Sequence, residues 1–221
     1  KEFWPGPLTM IFRKSGLVPY GPTGGLETVA VRMPSDPIAR KLISMANVPV
    51  AAPSANLSGR PSPTTADHVW QDMAGRIEIL IDGGPVGIGL ESTIVDVTGE
   101  IPTILRPGAV TMEMLEETLG RVEIDPAILG PMKEGIKPKA PGMKYRHYAP
   151  KADMTLVEGE MEQVVRAINR LARQAMGEGK KVGIICTDET RACYPAGIVR
   201  SIGIRAEEET VAHNLYAVLR E

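Results

Sequence analysis

The sequence predicts an α/β protein with two domains and a linker between them. Strand and helix patterns alternate along the 221 residues, which is typical of layered α/β folds. The periodicity is lost between about residues 121 and 152, where Pro, Gly and Lys accumulate, and a second strand–helix–strand pattern follows. We therefore expect a twisted, open, mixed sheet with helices in residues 1–120, a linker over 121–152, and a small Rossmann-like βαβ domain in 153–221.

The first domain begins its alternation at residues 28–33. This segment places its valines on one face, and if that face is in the core, Arg32 and Thr28 share the opposite face. Asp36 followed by proline is a typical helix start, and that helix should end near Asn47. The apolar segment 48–52 then predicts a strand.

The same alternation continues through the rest of the first domain. A loop rich in Ser, Pro and Gly at 53–63 leads to Thr64 and Thr65, which are plausible caps of a helix to about Met73. Ile77–Ile81 predicts a buried strand. Further strands at 91–97 and 102–105 and a helix at Thr111–Leu119 that Gly120 stops complete the domain.

The second domain is predicted from one βαβ pattern. A strand at Met154–Glu158 precedes a helix whose apolar residues recur at helical spacing, and Gly177 and Gly179 close that helix. The segment 181–186 is apolar enough for the next strand. Two strands joined through a helix predict a small parallel sheet.

Composition excludes several classes of protein. With 43% hydrophobic and 24% charged residues, the chain can fold around a core, and it has no apolar run of roughly 20 residues that could cross a bilayer. Two cysteines without metal-ligand spacing indicate reduced thiols in a cytoplasmic protein, and we predict no metal site. The net charge of −2 gives no global signature of nucleic-acid binding, although residues 133–151 carry six cations against one acid.

Four stretches could carry chemistry rather than structure. Ser54 and Asn56 follow a predicted strand, where hydroxyl and amide groups can bind a polar ligand. Ser92 precedes another strand, Arg106 occupies a tight turn, and Arg32 lies on the less apolar face of its strand. Each has an ordinary structural alternative, as a turn residue, a strand start or a salt-bridged arginine. The residues themselves indicate only an anionic ligand.

The stretch "APGMKYRHYAP" at 140–150 is unusual for a linker. It contains two of the five tyrosines and one of the three histidines of the chain, among three cations if Lys151 is counted. Long loops that hold such side chains are often functional. We therefore expect this segment to have more than a spacer role.

Six motifs in order carry a resemblance to a known family. They are "FWPGPLT", "TVAVRMP", "APSANLSGRPSPT", "ESTIVD", "LRPG" and "PGMKYRHYAP". Together they resemble the YrdC/Sua5 family over the first 150 residues. The linker motif and the βαβ unit after it are similar to the longer Sua5 type, so the first domain should be YrdC-like.

The resemblance implies an activity. Members of the family are L-threonylcarbamoyladenylate synthases, nucleotidyltransferases that form threonylcarbamoyl-AMP and pyrophosphate from L-threonine, bicarbonate and ATP for the t⁶A37 modification of tRNA. ATP and bicarbonate would be substrates, with Mg²⁺ as an accompanying ion. The product would pass to a tRNA threonylcarbamoyl-transfer machinery, with a weak tRNA contact as a further expectation and none with a membrane.

The resemblance also implies site residues, by matching motifs. Threonine would be held by Arg32, Ser54 and Ser92. ATP would be held by Thr28, Asn56, Thr64, Arg106 and Tyr145. Arg106 and Ser54 would be catalytic, and Lys144, Arg146 and His147 would form, with Tyr145, a lid that closes over the nucleotide.

Other interpretations remain open at this point. In the family a substantial segment precedes "FWPGPLT" and supplies further site residues, so we expect this chain to be a fragment that also lacks the end of the Sua5 domain. An RNA-binding YrdC-like module without catalysis is one alternative, which the basic segment 133–151 permits. A carbamoyl-adenylate step, as in hydrogenase maturation, is another.

Overall fold

The structure, a computed structural model, describes residues 2–128 and 152–221. These residues form two compact units. The first consists of residues 2–54 and 91–128, and the second of residues 55–90 and 152–221. The units are grouped by spatial contact, so residues 55–90 belong with the C-terminal part of the chain. The domain boundaries derived from the sequence remain a prediction.

The first unit contains a five-stranded mixed sheet, as the sequence predicts. The strands are β1 Leu8–Arg13, β2 Thr28–Arg32, β3 Thr93–Asp96, β4 Thr103–Arg106 and β5 Glu123–Ile124. In the sheet the order is β2-β1-β3-β4-β5. β1 pairs with β2 and β3 with β4 in the antiparallel sense, whereas β1–β3 and β4–β5 are parallel.

Helices α1 (Pro37–Ala46) and α3 (Met112–Leu119) of the first unit begin at side-chain caps. Asp36 accepts a hydrogen bond from the Ala39 amide at 2.7 Å, and Thr111 caps α3 in the same way. Each cap satisfies an amide that has no partner within the helix. The sheet and α3 share a core of Leu8, Val95, Ile104, Val110, Leu115 and Val122.

The second unit contains four helices and a two-stranded parallel sheet. Its sheet pairs β6 (Gly183–Cys186) with β7 (Ile198–Ser201). The core joins Ala172, Ile184, Cys186 and Tyr194. The predicted βαβ unit does not form, because its first strand at Met154–Glu158 is absent; β6, the short helix at Asp188–Arg191 and β7 form a different βαβ unit. The helices are α2 Ala66–Met73, α4 Met161–Gly177, α5 Asp188–Arg191 and α6 Glu208–Arg220.

Three predicted strands do not form in the described residues. The segments 48–52, Ile77–Ile81 and Met154–Glu158 have no strand assignment, and Ile79 is 78% exposed. An apolar run shows only that burial would be favourable, and it does not show that a partner strand lies beside it. The valine face of 28–33 is only partly buried, since Val29 is half-buried and Val31 is 40% exposed.

Strand β1 is one of the elements that the sequence analysis missed. It begins within the "FWPGPLT" motif and pairs with both β2 and β3, so it lies inside the sheet. The Gly6 amide donates to Met33 O at 2.9 Å and extends this pairing beyond β2. Two prolines and a glycine of the motif directly precede the strand and hide its start in the sequence.

Part of the predicted linker is described. Residues 121–128 form β5 and a 3₁₀ turn at Pro126–Ile128, and Val122 lies in the core of the first unit. The rest of the linker, including "APGMKYRHYAP", lies outside the described residues. In the described ranges no helix is both long enough and apolar enough to cross a membrane.

Candidate functional site

Three strands of the first unit, β2, β1 and β4, bring polar side chains into one row, and β3 lies between β1 and β4. Arg32 of β2 lies directly opposite Thr9 of β1, and Thr9 is in register with Ile94 of β3. Ile94 in turn pairs with Arg106 of β4, next to a β-bulge. Residues in register across a sheet share a face. Arg32, Thr9 and Arg106 therefore lie along one line across the sheet.

Ser92 connects this row through hydrogen bonds. Its Oγ lies 2.7 Å from Thr9 Oγ1. Arg106 donates to Ser92 O from Nε at 3.1 Å and from Nη2 at 2.8 Å, and also to Ser92 Oγ from Nη2 at 3.1 Å. Ser92 is 7% exposed, so these bonds satisfy a buried hydroxyl. The structure thus brings together Ser92 and Arg106, which the sequence predicts for different substrates.

The hydrogen bonds of this network have a direction. A guanidinium can only donate, so Ser92 Oγ accepts from Arg106 and can donate its own proton to Thr9. Thr9 is half-buried and would keep its hydroxyl proton for a ligand. Arg106 Nη1 has no acceptor within residues 2–128 and 152–221. The row therefore offers a hydroxyl and a guanidinium edge to a ligand.

Gly108 explains how the "LRPG" turn reaches Ser92. A Cβ atom at this position would lie 2.4 Å from Glu91 O and 2.6 Å from the Thr93 amide nitrogen. Contacts this short are not tolerated, so only glycine lets the two backbones approach closely. The close approach places Arg106 against Ser92.

The remaining predicted residues of the first unit are less constrained. Arg32 is exposed and has no ion pair in the described part of the chain. Thr28 lies at the other end of β2, opposite Arg13, roughly 13 Å from Arg32 along the strand at 3.3 Å per residue. Ser54 is exposed in a segment without strand partners, and no described hydrogen bond ties it to Ser92.

Asn56 and Thr64 lie in the second unit and take part in its local structure. Asn56 Nδ2 donates to Leu57 O at 2.9 Å and to Arg60 O at 3.2 Å. Both partners only accept, which fixes the orientation of the amide and leaves Asn56 Oδ1 buried without a partner in the described residues. Asn56 therefore has the structural role of a turn residue and retains one unused acceptor.

Thr64 is buried against His68. Its amide and its hydroxyl both lie 3.2 Å from His68 Nδ1. The amide can only donate, so Nδ1 is the acceptor and the ring proton is on Nε2. Burial, together with the positive charge of Arg220, lowers the pKa of His68. His68 is thus a neutral packing residue that holds Thr64 in place.

Asp72 is a buried charge that the sequence analysis missed. Its side chain is 0% exposed and forms ion pairs with Arg60 and, at 2.8 Å, with Arg220. The Leu57 amide donates to it at 3.3 Å. Burial acts to raise the pKa of Asp72, but the hydrogen bonds from Arg220, Arg60 and Leu57 outweigh burial and lower it. Arg220 is 148 residues away in the sequence, so no local pattern predicts this pairing.

Several predictions cannot be located in the structure. Lys144, Tyr145, Arg146 and His147 lie outside the described residues. Among the residues that are described, no group of three or more His, Cys, Asp or Glu side chains could hold a metal ion.

Two family models match the chain. The model described as "Telomere recombination", for Sua5, YciO and YrdC, covers residues 1–108. The model described as "Threonylcarbamoyl-AMP synthase, C-terminal domain" covers residues 110–221. Together they cover both predicted domains.

Similar proteins are known from distant organisms. The threonylcarbamoyl-AMP synthase of Pyrococcus abyssi is 50% identical over 220 residues, and that of Bacillus subtilis is 47% identical over 222 residues. The whole chain is covered in both matches, and it spans 62% of the length of each relative.

A solved structure agrees with these matches. The crystal structure of P. abyssi Sua5 complexed with L-threonine matches 99% of this chain and 62% of its own chain, with a TM-score of 0.90 and 49% identity. The resemblance inferred from the six motifs is confirmed: the chain belongs to the Sua5/YrdC family and is of the Sua5 type.

Proposed function

We propose that the protein is an L-threonylcarbamoyladenylate synthase, which forms threonylcarbamoyl-AMP and pyrophosphate from L-threonine, bicarbonate and ATP. The observation that carries the proposal is the row of Arg32, Thr9, Ser92 and Arg106 on one sheet. The names of the relatives and the threonine in the P. abyssi structure support it.

L-Threonine has groups that this row can bind. Its carboxylate suits a guanidinium that donates two parallel hydrogen bonds, and Arg32 is exposed without an ion pair in the described residues. Its side-chain hydroxyl suits a second hydroxyl, such as those of Ser92 and Thr9. We propose that Arg32 and Ser92 hold threonine, with Ser54 as a further contact, and we add Thr9 to this set.

Adenylation requires charge to be stabilised on phosphate. In the proposed reaction the threonine amine attacks bicarbonate, water leaves, and a carbamate forms. A carbamate oxygen then attacks the α-phosphorus of ATP, and the bond to the β-phosphate oxygen breaks with release of pyrophosphate. Arg106 Nη1 has no acceptor in the described residues, and Ser92 fixes the position of the guanidinium. A fixed cation of this kind stabilises the developing charge without reorganisation.

Other residues would complete the ATP site. We propose nucleotide contacts for Thr28, Asn56, Thr64 and Tyr145. We also propose that Ser54 and Arg106 are both catalytic. Asn56 Oδ1 supports the proposed nucleotide contact, because it is buried and has no hydrogen-bond partner among the described residues. Lys144, Arg146 and His147 remain predicted lid residues. Mg²⁺ is commonly bound through substrate phosphates and water, so in this proposal it enters with ATP.

The product determines the type of partner. Threonylcarbamoyl-AMP is a mixed anhydride that water hydrolyses, so an acceptor must take up the threonylcarbamoyl group soon after it forms. We propose that this acceptor is the tRNA threonylcarbamoyl-transfer machinery, with a weak tRNA contact, in the cytoplasm. Both cysteines are free thiols, which agrees with that compartment.

The full-length protein tests this proposal. With ATP, bicarbonate and L-threonine it should release pyrophosphate and form threonylcarbamoyl-AMP. Arg32→Met should raise the KM for threonine roughly 10- to 100-fold, because a charge-assisted pair is lost. Arg40→Met, at an exposed arginine on α1, is the control and should change it less than about twofold. No threonine-dependent release of pyrophosphate would disprove the proposal.

A further inference from the structure

In the second unit, helix α6 contacts the segment 55–90 at two points of one helix face. His213 Nδ1 lies 2.8 Å from Gly87 O, and Arg220 contacts the loop at 57–62. Seven residues separate His213 from Arg220, which is close to two helical turns. Gly89 allows this contact, because a Cβ there would lie 2.3 Å from His213 O. Helix α6 therefore packs against the segment that carries Asn56 and Thr64.

Arg220 donates to two backbone carbonyls of the loop and to Asp72. Its Nη2 lies 2.7 Å from Pro61 O and 2.8 Å from Asp72 Oδ2. Its Nε lies 3.1 Å from Pro61 O and 3.3 Å from Ser62 O. The Arg220 side chain is 6% exposed, so these bonds form away from water and are hard to replace.

Asp72 extends the same contact to the start of the loop. It accepts from the Leu57 amide and pairs with Arg60, while its other interaction is with Arg220. The loop is thus held at Leu57, Arg60, Pro61 and Ser62 by one ion-paired centre. The loop contains neither strand nor helix, so these side-chain bonds, rather than a ladder of backbone bonds, determine its conformation.

Asn56 depends on this conformation. Its Nδ2 bonds the carbonyls of Leu57 and Arg60, which are positions that the Asp72 centre holds. A shift of these carbonyls would move the amide and its unused Oδ1. A displacement of about 1 Å can reduce the rate of an enzyme roughly 100-fold.

We propose that Arg220 is a positioning residue through which the C-terminal helix α6 holds the loop 57–62, and with it Asn56, in the conformation that binds the nucleotide. This proposal rests on the proposed function, because it takes Asn56 as a nucleotide contact. It gives the C-terminal domain a role in the geometry of nucleotide binding.

Hydrogen exchange tests the contact without any activity. In full-length Arg220→Met, the amides of Leu57 and Arg60 should exchange at least about tenfold faster, since local opening loses its main restraint. Amides of β1 and β3 should keep their wild-type rates. Arg173→Met, at an exposed arginine of α4, is the matched control. Unchanged exchange in the loop would overturn the proposal even if the protein makes no threonylcarbamoyl-AMP.

Kinetics tests the consequence. Arg220→Met should raise the KM for ATP roughly tenfold. It should leave the KM for L-threonine within about twofold, because the residues proposed for threonine lie in the first unit. Faster loop exchange with an unchanged KM for ATP would overturn the positioning role. A wild-type protein without synthase activity would instead disprove the proposed function.

Arg220→Lys decides the question if Arg220→Met does not fold. Lysine keeps the charge beside Asp72 but cannot reproduce the planar set of bonds to Pro61 O and Ser62 O. We expect the unfolding midpoint of this variant to stay near that of the wild type while its KM for ATP rises severalfold. A wild-type KM for ATP in a folded Arg220→Lys variant would show that the charge alone suffices and would overturn the proposal.

Discussion

Each of the two units contains an arginine with fixed hydrogen-bond acceptors, Arg106 in the first and Arg220 in the second, and the two differ in exposure and in whether a carboxylate is among those acceptors. In the first unit, Arg106 donates hydrogen bonds from Nε and Nη2 to Ser92, and Arg32 has no ion pair in the described residues. In the second unit, Arg220 is 6% exposed and bonds a carboxylate and two carbonyls. Arg106 is half-buried and has no ion pair in the described residues, so its charge can pair with an anionic ligand, whereas the charge of Arg220 is buried and already paired with Asp72.

The burial and the bonding partners of an arginine indicate whether it binds a ligand or stabilises the fold more clearly than its residue type does. A buried guanidinium with fixed acceptors holds the conformation of its neighbours, and the carboxylate of Asp72 makes its burial tolerable. A half-buried guanidinium that pairs with no carboxylate can exchange water for an anionic ligand. Changes in the second unit should therefore affect stability first, and changes in the first unit should affect binding first.

The largest effect is expected from Asp72→Asn. The substitution leaves the Arg220 charge buried without its counter-ion and leaves Arg60 without its partner. Breaking a buried pair in this way costs about 3–5 kcal/mol, so the free energy of unfolding should fall by about that amount in urea denaturation. Asp67→Asn, at an exposed acid in the first turn of the same helix, is the control.

The control Asp67→Asn should lower the free energy of unfolding by less than about 1 kcal/mol, because an exposed charge near a helix N-terminus contributes only its interaction with the helix dipole. Equal losses in the two variants would mean that the Asp72 centre contributes nothing beyond surface electrostatics. The contrast between the two arginines would then lose its basis.

The pH dependence of stability sharpens the same contrast. Hydrogen bonds from Arg220, Arg60 and the Leu57 amide outweigh burial and lower the pKa of Asp72. A carboxyl with a lowered pKa stabilises the fold above its unfolded pKa of about 3.9, and this stabilisation is lost as the pH falls through the folded pKa. The difference in unfolding free energy between wild type and Asp72→Asn should therefore be constant above about pH 5 and shrink below about pH 4.

His68 titrates in the same unit and needs a control. Burial and Arg220 lower the pKa of His68, so stability also falls as the pH drops below about 6.5 towards the folded pKa of His68. Introducing His68→Gln into both the wild type and the Asp72→Asn variant removes this contribution to the pH dependence of stability. A wild-type advantage that persists undiminished at pH 2 would show that ionised Asp72 is not its source.

Local signals made much of the fold predictable. Asp36, Thr65 and Thr111 cap the three helices that the sequence places after them, because a capping side chain and its amide are only two or three residues apart. Local signals did not show that the apolar segments 48–52 and Ile77–Ile81 would remain outside any strand. Whether an apolar run joins a sheet depends on a partner distant in sequence, and none lies beside these runs in the described residues.

The site was predictable to the same extent. The motifs identified Ser92 and Arg106, and the structure adds that they bond each other. Thr9 belongs to a quoted motif, but its role appears only when β1 pairs with β3. The pairing of Asp72 with Arg220 joins residues 148 positions apart and has no local signature at all. Long-range contacts are what sequence patterns omit.

The smallest expected effect on stability is that of Thr9→Val, which tests whether the row binds threonine. Valine keeps the shape and removes the bond to Ser92 Oγ, which still receives a bond from Arg106. The free energy of unfolding should fall by only about 1 kcal/mol. Threonine affinity, measured by calorimetry on the full-length protein, should fall roughly tenfold, because a hydroxyl that loses its partner loses about 1.4 kcal/mol.

Thr103→Val is the matched control for Thr9→Val. The Thr103 hydroxyl also makes one hydrogen bond in the same sheet, to Ile101 O at 3.1 Å, so its removal should cost a similar amount of stability. Thr103 lies outside the row of Arg32, Thr9 and Arg106, and its loss should leave threonine affinity unchanged. If both variants weaken threonine binding equally, the effect comes from the stability of the sheet, and Thr9 has no place in the threonine site.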